Sequence, residues 1–388
     1  MRPLSILHLL SNRWWTGSAE PALALVRGLL GRRQKVVLGA PSGSQVEDLA
    51  RKAGIPLLEG LRLNPHFHPG AWLHDVHRVN MFLRRTPVDI IHTHLSHDHW
   101  VASCALGLLN PASRRTPVCV RTVHALRRPN SLSNRWLLGH GAAHLITVSA
   151  ALRRDIVERL RLPPPRITVI AGAVDGQRFH PAISGERVRQ EFELSPTTPL
   201  VGIVARLAPS RGHLRLIDAF AQVRRAMPAA RLMIVGKGEF RPHLEQRIAA
   251  LGLADAVIFS GYREDDLPQI LAALDVFVLM APGSEGSCRA ALEAMAVGKP
   301  VVAIRTGALQ DIVLDGETGL LIDPQADAAL AHAISRLLRG ADQARQMGFR
   351  GRQRVEHTFS RQRQVDEVMS LYQQLRAAQR IQSTTRNR

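Results

Sequence analysis

The stretch SEGSCRAALEAMAVGKP, residues 284–300, carries two carboxylates, Glu285 just ahead of a predicted helix and Glu293 two turns into it, with a Gly-Lys-Pro stop at 298–300. A helical path between them rises about 12 Å. The pair therefore suits two separated groups of one elongated ligand and is too far apart to share a proton. The first N–H groups of such a helix are unpaired and partly positive. Ser284 or Ser287 can cap it, and a phosphate or sugar oxygen can dock there. Glutamates at this spacing also occur on ordinary solvated helix faces, so the pair alone leaves both readings open. The residues that follow, LEAMAVGKPVVAIRTGALQDIV and DGETGLLIDP, add a strand VVAI, a turn TGAL and a polar DGETG hairpin, a compact α/β unit with a loop aimed at the same place.

Upstream, the same strand-loop-helix pattern repeats every 25 to 30 residues or so, which predicts a doubly wound parallel sheet. LVGIVAR leads to Arg206, Arg211 and Gly212 at the start of a helix over 212–226; RLMIVGKGEF places Lys237 at its tip; AVIFSGYRED brings Tyr262 and Arg263; DVFVLMAP runs into the opening stretch. Two guanidinium groups at a strand-to-helix turn suit a diphosphate, because each forks onto phosphate oxygens and keeps its charge. The first half repeats the theme. SILHLL is followed by a turn with Gly17 and a helix, PVCVRTVHAL ends at His124, and HLITVSAALRRDIVERL has Ser149 as a helix cap. A histidine at the carboxyl end of a parallel strand faces the ligand crevice of an open sheet. VDIIHTHLSHDHW crowds His92, His94, His97 and His99 together and invites a metal, although Ser96 stands where a metallo-hydrolase motif needs Asp. KVVLGAP and IPLLEG read as short strands, and 70–85 as a basic amphipathic helix that suits either its own sheet or an anionic bilayer. RITVIAGAVDGQRFHPAISG marks a boundary, with the hinge at 176–195, and SRQRQVDEVMSLYQQLRAA reads as a final amphipathic helix before a frayed end over 379–388.

At 388 residues the chain has room for two domains. Its 45% hydrophobic and 21% charged residues are those of a globular protein. No apolar run reaches membrane-spanning length, the first strand lacks a cleavage site, and three cysteines in no metal-like spacing fit a reducing compartment. The formal charge is +19 and unevenly placed: residues 1–181 hold 24 Lys+Arg against 10 Asp+Glu, whereas the remainder holds 27 against 22. Such a field favours an anionic partner, unless it is only a basic, unspecific surface.

Residues 282–324 resemble the donor-site signature of the retaining glycosyltransferases of family 4 (glycosyl transferases group 1), and the similarity extends weakly over most of the chain. Glu285 and Glu293 match that family's Glu-x7-Glu pair. Ser287 and Cys288 stand where the family has Phe-Gly, Gly307, Ala308, Leu309, Gln310 and Asp311 where it often has Gly-Gly-x-Pro-Glu, Arg211 replaces a Lys, and Gly17 alone remains of a Gly-Gly loop. The resemblance implies an α/β protein of GT-B fold, two Rossmann-like doubly wound parallel-sheet domains facing across a cleft. The expected division is an acceptor domain at 1–180, a nucleotide-sugar domain at 181–364, and at 365–388 a helix crossing back to the first domain plus a basic tail. It further implies that Glu293 holds the ribose, that Glu285, Gly286, Ser287 and Cys288 hold the sugar, that Gly17, Lys237, Tyr262 and Arg263 line the donor site, and that His124 reaches the sugar near its reacting carbon. Arg206 and Arg211 would stabilise the departing diphosphate, with no cofactor and no metal.

The expected activity is transfer of a sugar from a nucleotide-diphosphate sugar to a lipid-linked or lipopolysaccharide-type glycan. The expected location is cytoplasmic, peripheral on an anionic membrane surface, without nucleic acid as a partner. Rival readings are another GT-B enzyme (a nucleotide-sugar epimerase or a phosphorylase), a metal-dependent hydrolase built on the histidine cluster, and a non-catalytic relative.

Overall fold

The structure, a computed structural model, describes residues 2–14, 19–64, 68–109, 116–125, 131–281 and 288–386. The chain divides into two compact units, one comprising residues 1–171 with 361–388 and the other residues 172–360. The first passage between units thus falls after Ala171, ahead of the expected hinge, and the final helix belongs with the first unit.

In the first unit the order is β1 (Ser5–Leu9), α1 (Ala19–Gly31), β2 (Lys35–Gly39), α2 (Gln45–Lys52), α3 (Pro69–Arg85), β3 (Ile90–Thr93), α4 (Ser96–Gly107), β4 (Val118–Val123), α5 (Leu132–His140), β5 (His144–Thr147), α6 (Ala150–Leu160) and β6 (Ile167–Val169). The second unit follows with α7 (Glu186–Glu191), β7 (Leu200–Val204), α8 (His213–Ala226), β8 (Arg231–Val235), α9 (Arg241–Ala250), β9 (Val257–Gly261), α10 (Leu267–Ala273), β10 (Val276–Leu279), α11 (Arg289–Ala296), β11 (Val301–Ile304), α12 (Leu309–Ile312), β12 (Gly319–Ile322), α13 (Asp327–Arg339) and α14 (Ala341–Thr358). Helix α15 (Arg361–Arg386) ends the chain.

Each unit holds one six-stranded sheet, ordered β2-β1-β3-β4-β5-β6 and β12-β11-β10-β7-β8-β9, and the paired strands run parallel. Strands covered on both faces are apolar on both parities. In the first sheet Ile6, Leu10, Ile90, Val118 and Val120 pack with α1 and α15, while Leu7, Leu9, Ile91 and Cys119 pack on the other side. The second core joins β7, β8, β10 and β11 to α8 and α13, with Phe220 and Leu330 fully buried.

Four expectations change. Helix α11 begins at Arg289, because Cys288 takes the left-handed conformation (φ 52°, ψ 39°) that a preceding helical turn excludes, so Glu293 lies one turn in. The DGETG segment is no hairpin. Gly316 closes a tight turn onto Gly319 at 2.8 Å, and β12 then runs parallel to β11. IPLLEG contributes a single bridge, Leu57 to Leu38. Helix α15 continues past residue 379 instead of fraying there.

Helix α15 binds its unit through Val365, Val368, Leu371 and Tyr372, all buried in the α1-side core. Arg376 adds a partly buried pair with Asp89 at 2.8 Å. Gly28 lets α1 approach: a Cβ there would lie 2.3 Å from Val365 Cγ2. Gly28→Ala is therefore expected to destabilise the chain by about 1–3 kcal/mol, and adding Val365→Ala should restore part of that loss. Urea midpoints of the three variants check it; a Gly28→Ala protein as stable as the parent would contradict this packing.

Candidate functional site

In an open parallel sheet, ligands bind beyond the carboxyl ends of the strands, where the strand order reverses. In the second unit that point lies between β7 and β10, and the loops leaving these strands carry Arg206 and Arg211 on one side and residues 280–288 on the other. The two loops touch. Gly212, at φ 74°, would place a Cβ 2.5 Å from Met280 Cβ. The loop after β8 lies flush against them, since Leu207 N–H donates to Lys237 O at 3.1 Å and a Cβ at Gly238 would lie 2.1 Å from Leu207 O. This contact accounts for glycine beside Lys237 and brings that lysine to the same edge as the two arginines.

The charged groups here are mostly occupied with one another. Arg206 forks onto Glu239 at 3.0 and 3.1 Å in an exposed pair. The Glu239 carboxylate is held below its usual range by a backbone N–H and then by Arg206. Lys237 Nζ stands 4.6 Å over the Tyr262 ring, whose hydroxyl donates to Glu264 at 3.1 Å. Arg263 is bidentate to Glu191 at 2.7 Å on both oxygens and also meets Asp266. Its guanidinium therefore fastens α7 to the loop after β9. Among the described residues Arg211 makes no ion pair; it lies ahead of His213, a buried imidazole lowered to about 4 by burial and by Arg211.

Glu293, buried on α11, receives Arg289 Nε at 2.9 Å, a pairing the sequence reading did not anticipate although i,i+4 spacing allows it. Cys288 precedes the helix in its left-handed conformation, which costs a non-glycine residue on the order of 1 kcal/mol or more; it is the position where the resembling family has glycine. Glu285, Gly286 and Ser287 lie outside the described residues, as does Gly17, so the Glu285-to-Glu293 separation is not among the described distances.

In the first unit the order reverses between β1 and β3. His8 and His92 are register partners on these strands, and a period of two puts His94 on the same face. Thr122 and His124 share it too, two and four residues beyond Val120, the partner of His92. His92 is bonded on both nitrogens, to Tyr372 Oη at 2.5 Å and Thr122 Oγ1 at 2.7 Å. His8 Nδ1 and His94 Nε2 are 3.2 Å apart. Ring centroids lie 4.4 Å apart for His92 and His94, at 21°, and 6.1 Å apart for His94 and His124, at 25°.

Asp98 fixes the strand ends around this cluster. Fully buried, it accepts from the N–H of Ser11 (3.1 Å) and Leu95 (2.8 Å) and from Arg121 at 3.2 Å, tying together the chain where it leaves β1 and β3 and the end of β4. Burial raises the Asp98 carboxyl to about 7 and lowers Arg121 to about 10, and their ion pair opposes both shifts.

The histidine set proposed for a metal does not assemble. His97 and His99 lie on α4, whose apolar side chains pack against the opposite sheet face, and burial lowers the His97 imidazole below its ordinary value against the opposing pull of Asp75. His8 joins His92 and His94 instead, with ligand atoms within 4.8 Å of one another. His94 lies near-parallel to both other rings, at 21° and 22°, while His8 and His92 are tilted by 43°; because both His92 nitrogens already have partners, the trio suits packed neutral imidazoles better than converging ligands. His8 went unnoticed in the sequence because it falls at an apolar position of β1, and Tyr372 reads there only as part of the apolar stripe of the last helix; the signal for His8 was a histidine of the same strand parity as His92.

Burial lowers His8 and His124 to about 3, with Arg121 assisting at His124, and lowers His92 and His94 well below 6.5 by burial and then by neighbouring imidazoles. These groups are neutral when folded and titrate near 6.5 when unfolded. The stability they permit is complete above that pH and is lost as the pH falls toward 3, by about 1.4 kcal/mol per pH unit per imidazole. Asp98, raised instead, acts in the opposite sense and is outnumbered. Urea midpoints should fall between pH 7 and pH 5, less steeply in His8→Phe; a flat profile would contradict the buried neutral cluster.

Residues 15–178 match the family described as Glycosyltransferase Family 4, and residues 184–354 match Glycosyl transferases group 1. The D-inositol 3-phosphate glycosyltransferase of Salinispora tropica is 32% identical over 311 residues, 72% of this chain and 64% of that protein. The GDP-mannose-dependent alpha-(1-6)-phosphatidylinositol monomannoside mannosyltransferase of Mycolicibacterium smegmatis is 29% identical over 87% of this chain and 89% of its own length. Anabaena Alr3699/HepE, solved in complex with UDP, superposes with a TM-score of 0.80 at 23% identity, over 95% of this chain and 100% of that one. Two Rossmann-like parallel sheets, loops of basic residues at a switch point and matches running through both units place the chain in glycosyltransferase family 4, with the GT-B fold.

Proposed function

We propose that this glycosyltransferase uses a nucleoside-diphosphate sugar, retains the anomeric configuration, needs no metal, and acts on an anionic glycan or glycolipid. The observation that carries this reading is the grouping of Arg206, Arg211 and Lys237 on touching loops at the β7/β10 switch point, beside the start of α11. A departing diphosphate needs its growing charge stabilised, and fixed cations with helix N–H groups do this without reorganising. Arg206, held by an exposed carboxylate, can exchange Glu239 for phosphate at little cost because exposed pairs are weak.

In this reading Glu293 accepts from the ribose hydroxyls, with Arg289 orienting its carboxylate. Glu285 with the amides of Ser287 and Cys288 holds the sugar, and Gly17, Lys237, Tyr262 and the backbone of Arg263 line the donor site. His124 serves the sugar near its anomeric carbon. The acceptor attacks the face from which diphosphate departs, so no side chain becomes a covalent nucleophile. The basic first half favours a phosphorylated acceptor or an anionic bilayer, and two relatives are named for inositol phosphate and phosphatidylinositol mannoside acceptors. Among the described residues no helix is long and apolar enough to cross a membrane; a peripheral place on the inner membrane surface is our proposal.

Thermal shifts with UDP, GDP, ADP and TDP are expected to single out one base. With the matching donor, Arg206→Ala and Arg211→Ala should each lower kcat by about 100-fold, EDTA should leave it unchanged, and NMR of the product should show retention. No shift with any nucleotide would refute the donor assignment, and turnover to an isomerised donor without acceptor would favour an epimerase. Sedimentation with anionic but not neutral liposomes is expected; equal weak binding to both would remove the membrane surface from the proposal.

A further inference from the structure

We propose that His92 and His94, braced by Tyr372 of the C-terminal helix and by Thr122, form a positioning column that sets the orientation of the His124 ring. The inference rests on the reading that His124 serves the transferred sugar, and adds how that ring is held.

The column is built from one sheet face. His8 and His92 are neighbours in register, His94 follows on the same parity, and Thr122 and His124 approach from the adjoining strand. Packed against this face are α1 and α15, and α15 delivers Tyr372, a fully buried ring, edge-on to His92 with centroids 5.9 Å apart at 88°. Among the described residues the Tyr372 hydroxyl has His92 as its hydrogen-bond partner. A buried phenol satisfies its one hydrogen by donating, so His92 Nδ1 accepts, and His92 Nε2–H then donates to Thr122 Oγ1. Two bonds on opposite ring edges fix both the tautomer and the ring plane. His94 stacks on that plane at 4.4 Å and is held from the side by His8 Nδ1 at 3.2 Å. His124 follows His94 at 25°.

The column leaves imidazole nitrogens unmade at both of its ends. Among the described residues His8 Nε2, His94 Nδ1 and His124 Nε2 are buried without a hydrogen-bond partner, and leaving a buried polar atom unmet is costly. Among the described residues His124 thus has no hydrogen bond at Nε2 to fix its ring, and the stack on His94 supplies an orientation. An imidazole held in plane with no hydrogen bond of its own among the described residues keeps its nitrogens for another partner. The same stack passes through Tyr372, so the seating of α15 reaches His124 through three rings.

Tyr372→Phe keeps the ring and removes only the O–H, and Thr122→Val removes the partner on the other nitrogen at equal volume. Turnover can be followed as nucleoside diphosphate released from UDP-glucose or GDP-mannose, well below the melting temperature and per folded molecule. Each variant is expected to lower kcat about tenfold with donor KM within about twofold, and to move the imidazole ¹⁵N resonances of His94 and His124, although neither residue is replaced. A brace that is merely structural lowers the melting temperature alone. Unchanged kcat and unchanged His124 resonances in both folded variants would overturn the column. His124→Ala separates this from the underlying reading: an inactive His124→Ala beside fully active Tyr372→Phe and Thr122→Val sinks the column only, whereas a fully active His124→Ala removes His124 from the reaction and the column's purpose with it.

Discussion

A parallel sheet whose order reverses beside its first strand sends two neighbouring loops in opposite directions, and the space between them cannot be closed by either. Both units are governed by that constraint. In the second it parts the loops after β7 and β10, and in the first those after β1 and β3. The residues with chemical potential collect at these two places because the strands supply a flat apolar edge and the loops supply polar groups just above it.

The two places are furnished in opposite ways. The second unit keeps Arg206 in an exposed pair with Glu239 and Lys237 over the Tyr262 ring, so its cations stay at the surface in weak contacts. The first unit buries imidazoles on one another with Arg121 nearby, itself paired with Asp98. Such a cluster tolerates no added proton. It gains instead a fixed arrangement, because stacked neutral rings with few hydrogen-bond choices have few alternative tautomers and rotamers. Helix α15 contributes to that arrangement from the far end of the chain.

Much of this was legible in the sequence. Repeated strand-loop-helix periods gave the doubly wound sheets, and each basic loop after LVGIVAR and RLMIVGKGEF lies where a parallel strand must release the chain. Local signals misled where they competed with tertiary geometry. The alanine-rich run after Glu285 read as one helix, but the chain enters α11 through a left-handed Cys288. DGETG has hairpin residues, yet the strand after it pairs in parallel with β11, so the turn only tightens the entry to β12. Four histidines close in sequence looked like one site and separated onto two faces, because alternation along β3 ends where α4 begins.

The sequence by itself determined the class of fold, the number of units, the uneven charge and the place of the basic loops, since these follow from period, composition and local turn chemistry. Only the tertiary structure decided which of those residues have partners: that Arg263 is tied down, that Glu293 is paired with Arg289, and that His92 is bonded to a tyrosine 280 residues away. Strand register and helix packing bring such groups together across long stretches of chain, and neither leaves a trace in the spacing of the residues concerned.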